Sequence, residues 1–118
     1  MGDLYRAVRT HEPDSLEPLV LSTGDLLHFE RKQTEWDGWL WCSKPSGQSC
    51  WVPESWVKVK GDTCVLERDY SALELAIQPS ELLEGILTES GWLLAISSSG
   101  ITGWVPLECV EPVMFDGP

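Results

Sequence analysis

The 118-residue sequence predicts an all-β protein, two small five-stranded β-barrels in tandem joined by a short linker. Three observations carry that prediction. The segment Trp39-Leu-Trp-Cys-Ser-Lys-Pro-Ser-Gly-Gln-Ser-Cys-Trp-Val-Pro53 recurs in outline as Trp92-Leu-Leu-Ala-Ile-Ser-Ser-Ser-Gly-Ile-Thr-Gly-Trp-Val-Pro106, with Trp, Gly, Trp, Val and Pro all returning after 53 residues. A period of that length marks a duplication and divides the chain into domains at 1–60 and 61–118. Apolar residues come in short runs bounded by Gly, Pro and polar clusters, as strands do, and no longer stretch keeps a helical period, Glu81 to Thr88 alone being ambiguous.

The first repeat opens with a short apolar strand from Tyr5 to Val8, followed by the irregular loop His11-Glu-Pro-Asp-Ser-Leu-Glu-Pro18. Leu19-Val-Leu21 and Leu26-Leu-His-Phe29 are strands separated by a turn at Thr23-Gly24-Asp25. A polar excursion from Arg31 to Asp37 ends at Gly38. Trp39-Leu-Trp-Cys42 and Ser49-Cys-Trp-Val52 then form a hairpin around Ser43-Lys-Pro-Ser-Gly47, because Pro fixes one backbone angle and Gly permits a positive φ. Pro53 ends that strand, Glu54-Ser-Trp56 has the length of one 3₁₀ turn, and Val57-Lys-Val59 is the last strand.

Lys58-Val-Lys-Gly-Asp-Thr63 is the expected linker, too short to act as a flexible tether. The second repeat restates the order: Val65-Leu66, a shorter loop through Tyr70, a strand at Leu75-Ala-Ile77, a turn at Gln78-Pro-Ser-Glu81, Leu82-Leu83, a hairpin of Gly91 to Ile96 with Thr102 to Val105, then Pro106-Leu-Glu-Cys109 and Val110. Met114 and Phe115 leave the tail either frayed or tucked over an edge. A domain near 60 residues buries only about 60% of its unfolded surface, so packing between the repeats is expected.

Composition bounds the function. Apolar residues make up 42% of the chain and seven are Trp, which argues for ordered structure. The net charge is −11: residues 1–60 hold nine Asp and Glu against seven Lys and Arg, residues 61–118 ten against one, Arg68. Without a basic stripe, nucleic-acid binding is not expected, since phosphate contacts need clustered cations. No run of 18 apolar residues and no signal-peptide core is present, so the expectation is a cytoplasmic protein without a membrane partner. Cys42, Cys50, Cys64 and Cys109 contain no Cys-x-x-Cys, and His11 and His28 lie at no ligand spacing, so neither metal nor cofactor is expected. Cys42 and Cys50 correspond to Ala95 and Gly103, which marks them as small apolar residues of facing slots rather than as a bridge. No nucleophile and base share a motif, and the chain is not expected to be an enzyme.

Ala7-Val8, Leu19-Val-Leu-Ser-Thr-Gly24-Asp25, Trp39, Gly47-Gln-Ser-Cys-Trp-Val-Pro53 and Ser55-Trp56-Val57 occur in the order and spacing of the Src homology 3 (SH3) domain, which the first repeat resembles. The second repeat resembles it at Glu74-Leu-Ala-Ile77, Trp92, Gly100-Ile-Thr-Gly-Trp-Val-Pro106 and Val110, and the pair looks like bacterial tandem variant SH3 proteins. The resemblance implies a non-enzymatic module that binds a Pro-rich or basic peptide, the preformed polyproline helix stacking on aromatic rings. It implies a first groove of Trp39, an exposed platform, with Pro53 and Trp56, to which Trp36 adds a wall. Glu12, Asp14 and Glu17 would flank it on one side and Glu35 and Asp37 on the other, placed to pair with a basic ligand residue.

In the same resemblance the two Tyr positions of the opening motif fall on Arg9 and His11, which places His11 in this groove, and the usual Asn falls on Ser55. A weaker second groove would hold Trp92, Pro106 and Tyr70, with Cys109 at the position of Trp56. The alternative is a structural or assembly protein whose groove is filled by the other repeat, the tail or a second chain, the last amounting to self-association.

Overall fold

A computed structural model describes residues 3–13, 19–31 and 38–114. All regular structure among them is strand and single 3₁₀ turns. The strands are β1 (Asp3–Ala7), β2 (Val20–Leu21), β3 (Leu26–Glu30), β4 (Trp39–Ser43), β5 (Ser49–Pro53), β6 (Val57–Lys60), β7 (Thr63–Leu66), β8 (Tyr70–Ser71), β9 (Leu82–Glu89), β10 (Trp92–Ser97), β11 (Thr102–Pro106) and β12 (Val110–Pro112). The 3₁₀ turns, Glu54–Trp56 and Leu107–Cys109, follow Pro53 and Pro106 at equivalent places in the two repeats. The ambiguous stretch from Glu81 resolves as a strand, β9, whose residues from Leu82 to Gly85 alternate exposed and buried as a half-buried strand does. Leu75 to Ile77, expected as a strand, makes only isolated bridges, Glu74 to Trp104 and His11 to Ile77.

The chain forms two compact units, and they are not cut at residue 60. One is contiguous, Glu17–Ala72; the other is split, Met1–Leu16 with Leu73–Pro118. In the contiguous unit an antiparallel sheet runs β5-β4-β3-β7-β6, and β2 pairs with β8. In the split unit the sheet runs β11-β10-β9-β1-β12. β7, the opening strand of the second repeat, therefore lies between β3 and β6 of the first, while β1 lies between β9 and β12 of the second. The repeats have exchanged their opening strands.

The supposed linker explains the exchange. Val57 to Lys60 pairs with Leu66 to Thr63 across only Gly61 and Asp62. Gly61 has φ 65°, the positive angle a type II′ hairpin turn needs at its first central residue. These residues are thus a tight turn inside one unit rather than a connection between two. Because β7 is folded straight back onto β6, the slot beside β3 and β6 is taken, and β1 fills the equivalent slot beside β9 and β12.

The split unit is built on buried Ala7, Leu75, Ile77, Leu83, Leu93, Ala95, Val105, Cys109 and Val110, with Tyr5 and Leu107 packed against them. Ala7 closes that core from β1, and its amide donates to Glu81 O at 2.8 Å. Ile86 is the extra residue of a bulge where β9 meets β10, since Leu94 faces Leu87 but Ala95 faces Gly85. A Cβ on Gly85 would lie 2.5 Å from Tyr5 Cε1, so this glycine is what lets β1 pack its ring against β9. At the chain end Val113 N donates to Leu4 O, Met114 is exposed, and Phe115 lies outside the described residues.

In the contiguous unit Leu21, Leu27, Leu40, Val52, Cys64 and Leu66 are fully buried. Cys42 faces Cys50 across β4 and β5, as Ala95 faces Gly103 across β10 and β11. All four cysteines are free and buried. Burial pushes the Cys50 thiol up to about 11 and raises Cys42, Cys64 and Cys109 above the ordinary thiol value.

Candidate functional site

In the contiguous unit the aromatic site is assembled from both repeats. Trp39 opens β4 directly opposite Pro53 at the end of β5, and Glu54 N donates to Gly38 O at 2.8 Å, starting the 3₁₀ turn that delivers Trp56. Tyr70 of the second repeat meets Trp56 edge to face, centroids 5.5 Å apart and planes 88° to one another, and its hydroxyl donates to Trp51 O at 2.7 Å. The guanidinium carbon of Arg68 lies 3.8 Å from the Trp56 ring centroid. Beside these, Trp41 and Trp51 face one another across β4 and β5 with centroids at 5.2 Å.

The segment carrying Arg68 and Tyr70 is tied at each step. Gly24 N donates to Leu66 O at 2.7 Å and Glu67 N to Trp56 O at 2.8 Å. Thr23 donates to Asp69 Oδ1 through its amide and its hydroxyl, and these bonds hold the exposed Asp69 carboxyl below the usual carboxylate value. Arg31 forks onto Glu54, Nη1 to Oε1 at 2.9 Å and Nη2 to Oε2 at 3.3 Å, which raises the guanidinium value further.

The split unit holds the counterpart site. Trp92 faces Pro106 across β10 and β11, and Cys109 ends the second 3₁₀ turn, its carbonyl accepting from Val8 N and Arg9 N. His11 of the first repeat stands edge-on to Trp92, centroids 5.9 Å apart, and its Nε2 lies 2.8 Å from Glu74 Oε1.

His11 and Tyr70 have therefore traded places relative to the sequence expectation: His11 joins Trp92, and Tyr70 joins Trp56. The exchange of opening strands is the cause, because each residue follows its strand by a few positions. Glu12 is exposed and follows His11 in the split unit. Trp39 was expected as an exposed platform, yet it is only 9% exposed and Trp56 only 4%, so both rings are covered, while Trp92 is half-buried. Asp14, Glu17, Glu35, Trp36 and Asp37 lie outside the described residues. Sequence reasoning missed Arg68 as part of a site, although it is the lone cation of residues 61–118.

The raised thiols are protonated, hence poor nucleophiles. Among the described residues no cluster of His, Cys, Asp and Glu could hold a metal ion, and no helix is long and apolar enough to cross a membrane.

No curated protein matches the chain significantly. The family model of the variant SH3 domain matches residues 4–60, spanning β1 to β6, and SH3 domains are generally non-catalytic modules of protein–protein interaction. The matched segment runs across both units, since β1 pairs with β9 and β12 while β2 to β6 lie in the contiguous unit.

Proposed function

We propose that the chain is a non-enzymatic interaction protein built from two SH3-like repeats, and that it binds a peptide segment of a partner protein at the aromatic site of the contiguous unit. The observation that carries this reading is the placement of Trp39, Pro53 and Trp56 on the strand ends and 3₁₀ turn of one sheet, with Tyr70 of β8 set edge-on against Trp56. Flat rings lose little entropy on binding and accept the rings of a Pro-rich segment. The net charge of −11 favours a basic ligand over nucleic acid. Free buried thiols fit a reducing compartment such as the cytoplasm.

Titration with a basic Pro-rich peptide, followed by NMR, is expected to give saturable shifts at Trp39, Trp56 and Tyr70. Unmoved resonances at all three residues would remove the reading.

The low exposure of Trp39 and Trp56 favours a second reading, an assembly role in which the rings are packing surface. A concentration-dependent mass in light scattering, with no peptide response, is its signature; a monomer at all concentrations excludes its intermolecular form.

A further inference from the structure

Arg68 is the single Lys or Arg among residues 61–118, set among ten acids, and among the described residues no ion pair joins it to one; its guanidinium sits 3.8 Å over the Trp56 ring. On one side Glu67 N donates to Trp56 O, and on the other the Asp69 carboxylate accepts from the Thr23 amide and hydroxyl, so the Arg68 side chain starts from a braced position. Tyr70 stands edge-on to the same ring. Trp56 keeps only 4% of its surface exposed, whereas Arg68 itself is exposed. A cation stacked on an indole face gains from the ring quadrupole, and an exposed guanidinium can swing away with little loss of hydration.

The other unit supplies a comparison. Arg9 occupies the place that Arg68 takes, since Val8 N and Arg9 N donate to Cys109 O as Glu67 N donates to Trp56 O. There the 3₁₀ turn ends in Cys109, with no ring to stack on. Only the contiguous unit combines the cation with the indole.

We propose that Arg68 is an internal plug: it occupies the face of Trp56 that takes an arginine side chain of a partner protein, so the site opens when Arg68 leaves the ring. The occupant is an arginine-bearing segment, because the chain itself shows a guanidinium seated there and its acidic balance attracts cations. This rests on the interaction reading above and adds to it a ligand side chain and a self-blocking contact. Apparent affinity falls by the fraction of molecules in which the plug is off.

The test compares the full chain with Arg68→Ala, each titrated with N-acetyl-arginine amide and with the neutral N-acetyl-citrulline amide, reading the ring resonances of Trp56 and Tyr70. The expected result is a saturable response of Arg68→Ala to the arginine probe, roughly tenfold weaker in the intact chain, with little response to citrulline. No response in the variant, an equal response in the intact chain, or equal binding of citrulline overturns the proposal. Should Arg68→Ala not fold, Arg68→Met keeps the stem without the charge and serves in its place. If the Pro-rich peptide fails on both proteins while the arginine probe still binds the variant, the peptide-binding reading falls and the plug stands.

Discussion

Replacing Tyr70 by phenylalanine and by alanine separates two contributions at the junction of the repeats. Tyr70 is 4% exposed, donates its hydroxyl to Trp51 O at 2.7 Å and meets Trp56 edge to face. Tyr70→Phe removes the hydroxyl and leaves a carbonyl without that donor, which costs about 1 kcal/mol. Tyr70→Ala deletes the buried ring as well, a loss of about 3–5 kcal/mol by analogy with other buried aromatics, part of it the edge-to-face pairing at about 0.5–1.5 kcal/mol. A unit this small holds only a few kcal/mol in reserve, so the alanine variant should lose most of the folded contiguous unit.

Urea unfolding followed by tryptophan fluorescence gives the two energies, and NMR of the phenylalanine variant gives their location. Shifts should centre on Trp51 and Trp56. Shifts centred on Trp92 and Pro106, with Trp51 and Trp56 unmoved, would refute the placement, because that is where Tyr70 falls if each repeat keeps its own opening segment.

Gly85→Ala forces a Cβ against the Tyr5 ring and should cost about 1–3 kcal/mol in urea unfolding, relieved by Tyr5→Leu in the same chain. His11→Ala removes the bond to Glu74 and the edge contact with Trp92, so it should cost about 1 kcal/mol and shift Trp92 rather than Trp39 in NMR spectra. The native thiols should resist a thiol reagent at neutral pH, and all four should react once the chain is unfolded without reductant; fewer would reveal a bridge. Burial raises Cys50 in the folded state, so its contribution is present below the unfolded value near pH 8.5 and is lost as pH rises towards about 11. Denaturation at stepped alkaline pH should show that loss, roughly 3 kcal/mol from this thiol.

Local chemistry was legible in the sequence. The hairpin turn at Gly47, the 3₁₀ turns after Pro53 and Pro106 and the facing of Trp39 with Pro53 follow from residue types at fixed offsets, and they recur at those offsets in both repeats. The equivalence of Cys42 and Cys50 with Ala95 and Gly103 was readable because a duplicated strand pair reports the volume of each slot twice. The exchange of β1 and β7 was not, since both repeats offer an opening strand the same kind of slot and strand alternation does not name the partner. One signal was present: Val57 to Lys60 and Thr63 to Leu66 flank Gly-Asp, a two-residue hairpin spacing, which reads as a turn once it is not taken for a linker. From that misplacement follow the others, His11 assigned to Trp39 and Tyr70 to Trp92. The burial of Trp39 and Trp56 depends on what tertiary structure lays over them, which no local pattern encodes.

Cross-strand nuclear Overhauser effects in the intact protein, at a dilution where it is monomeric, report whether the repeats exchange opening strands within one chain. The expected contacts are Tyr5 with Pro112, Arg6 with Glu111 and Ala7 with Val110, together with Lys58 to Val65 and Val59 to Cys64 across the Gly61 turn. Contacts of Tyr5 to Ala7 with Val57 to Lys60 would contradict the exchange and return each strand to its own repeat.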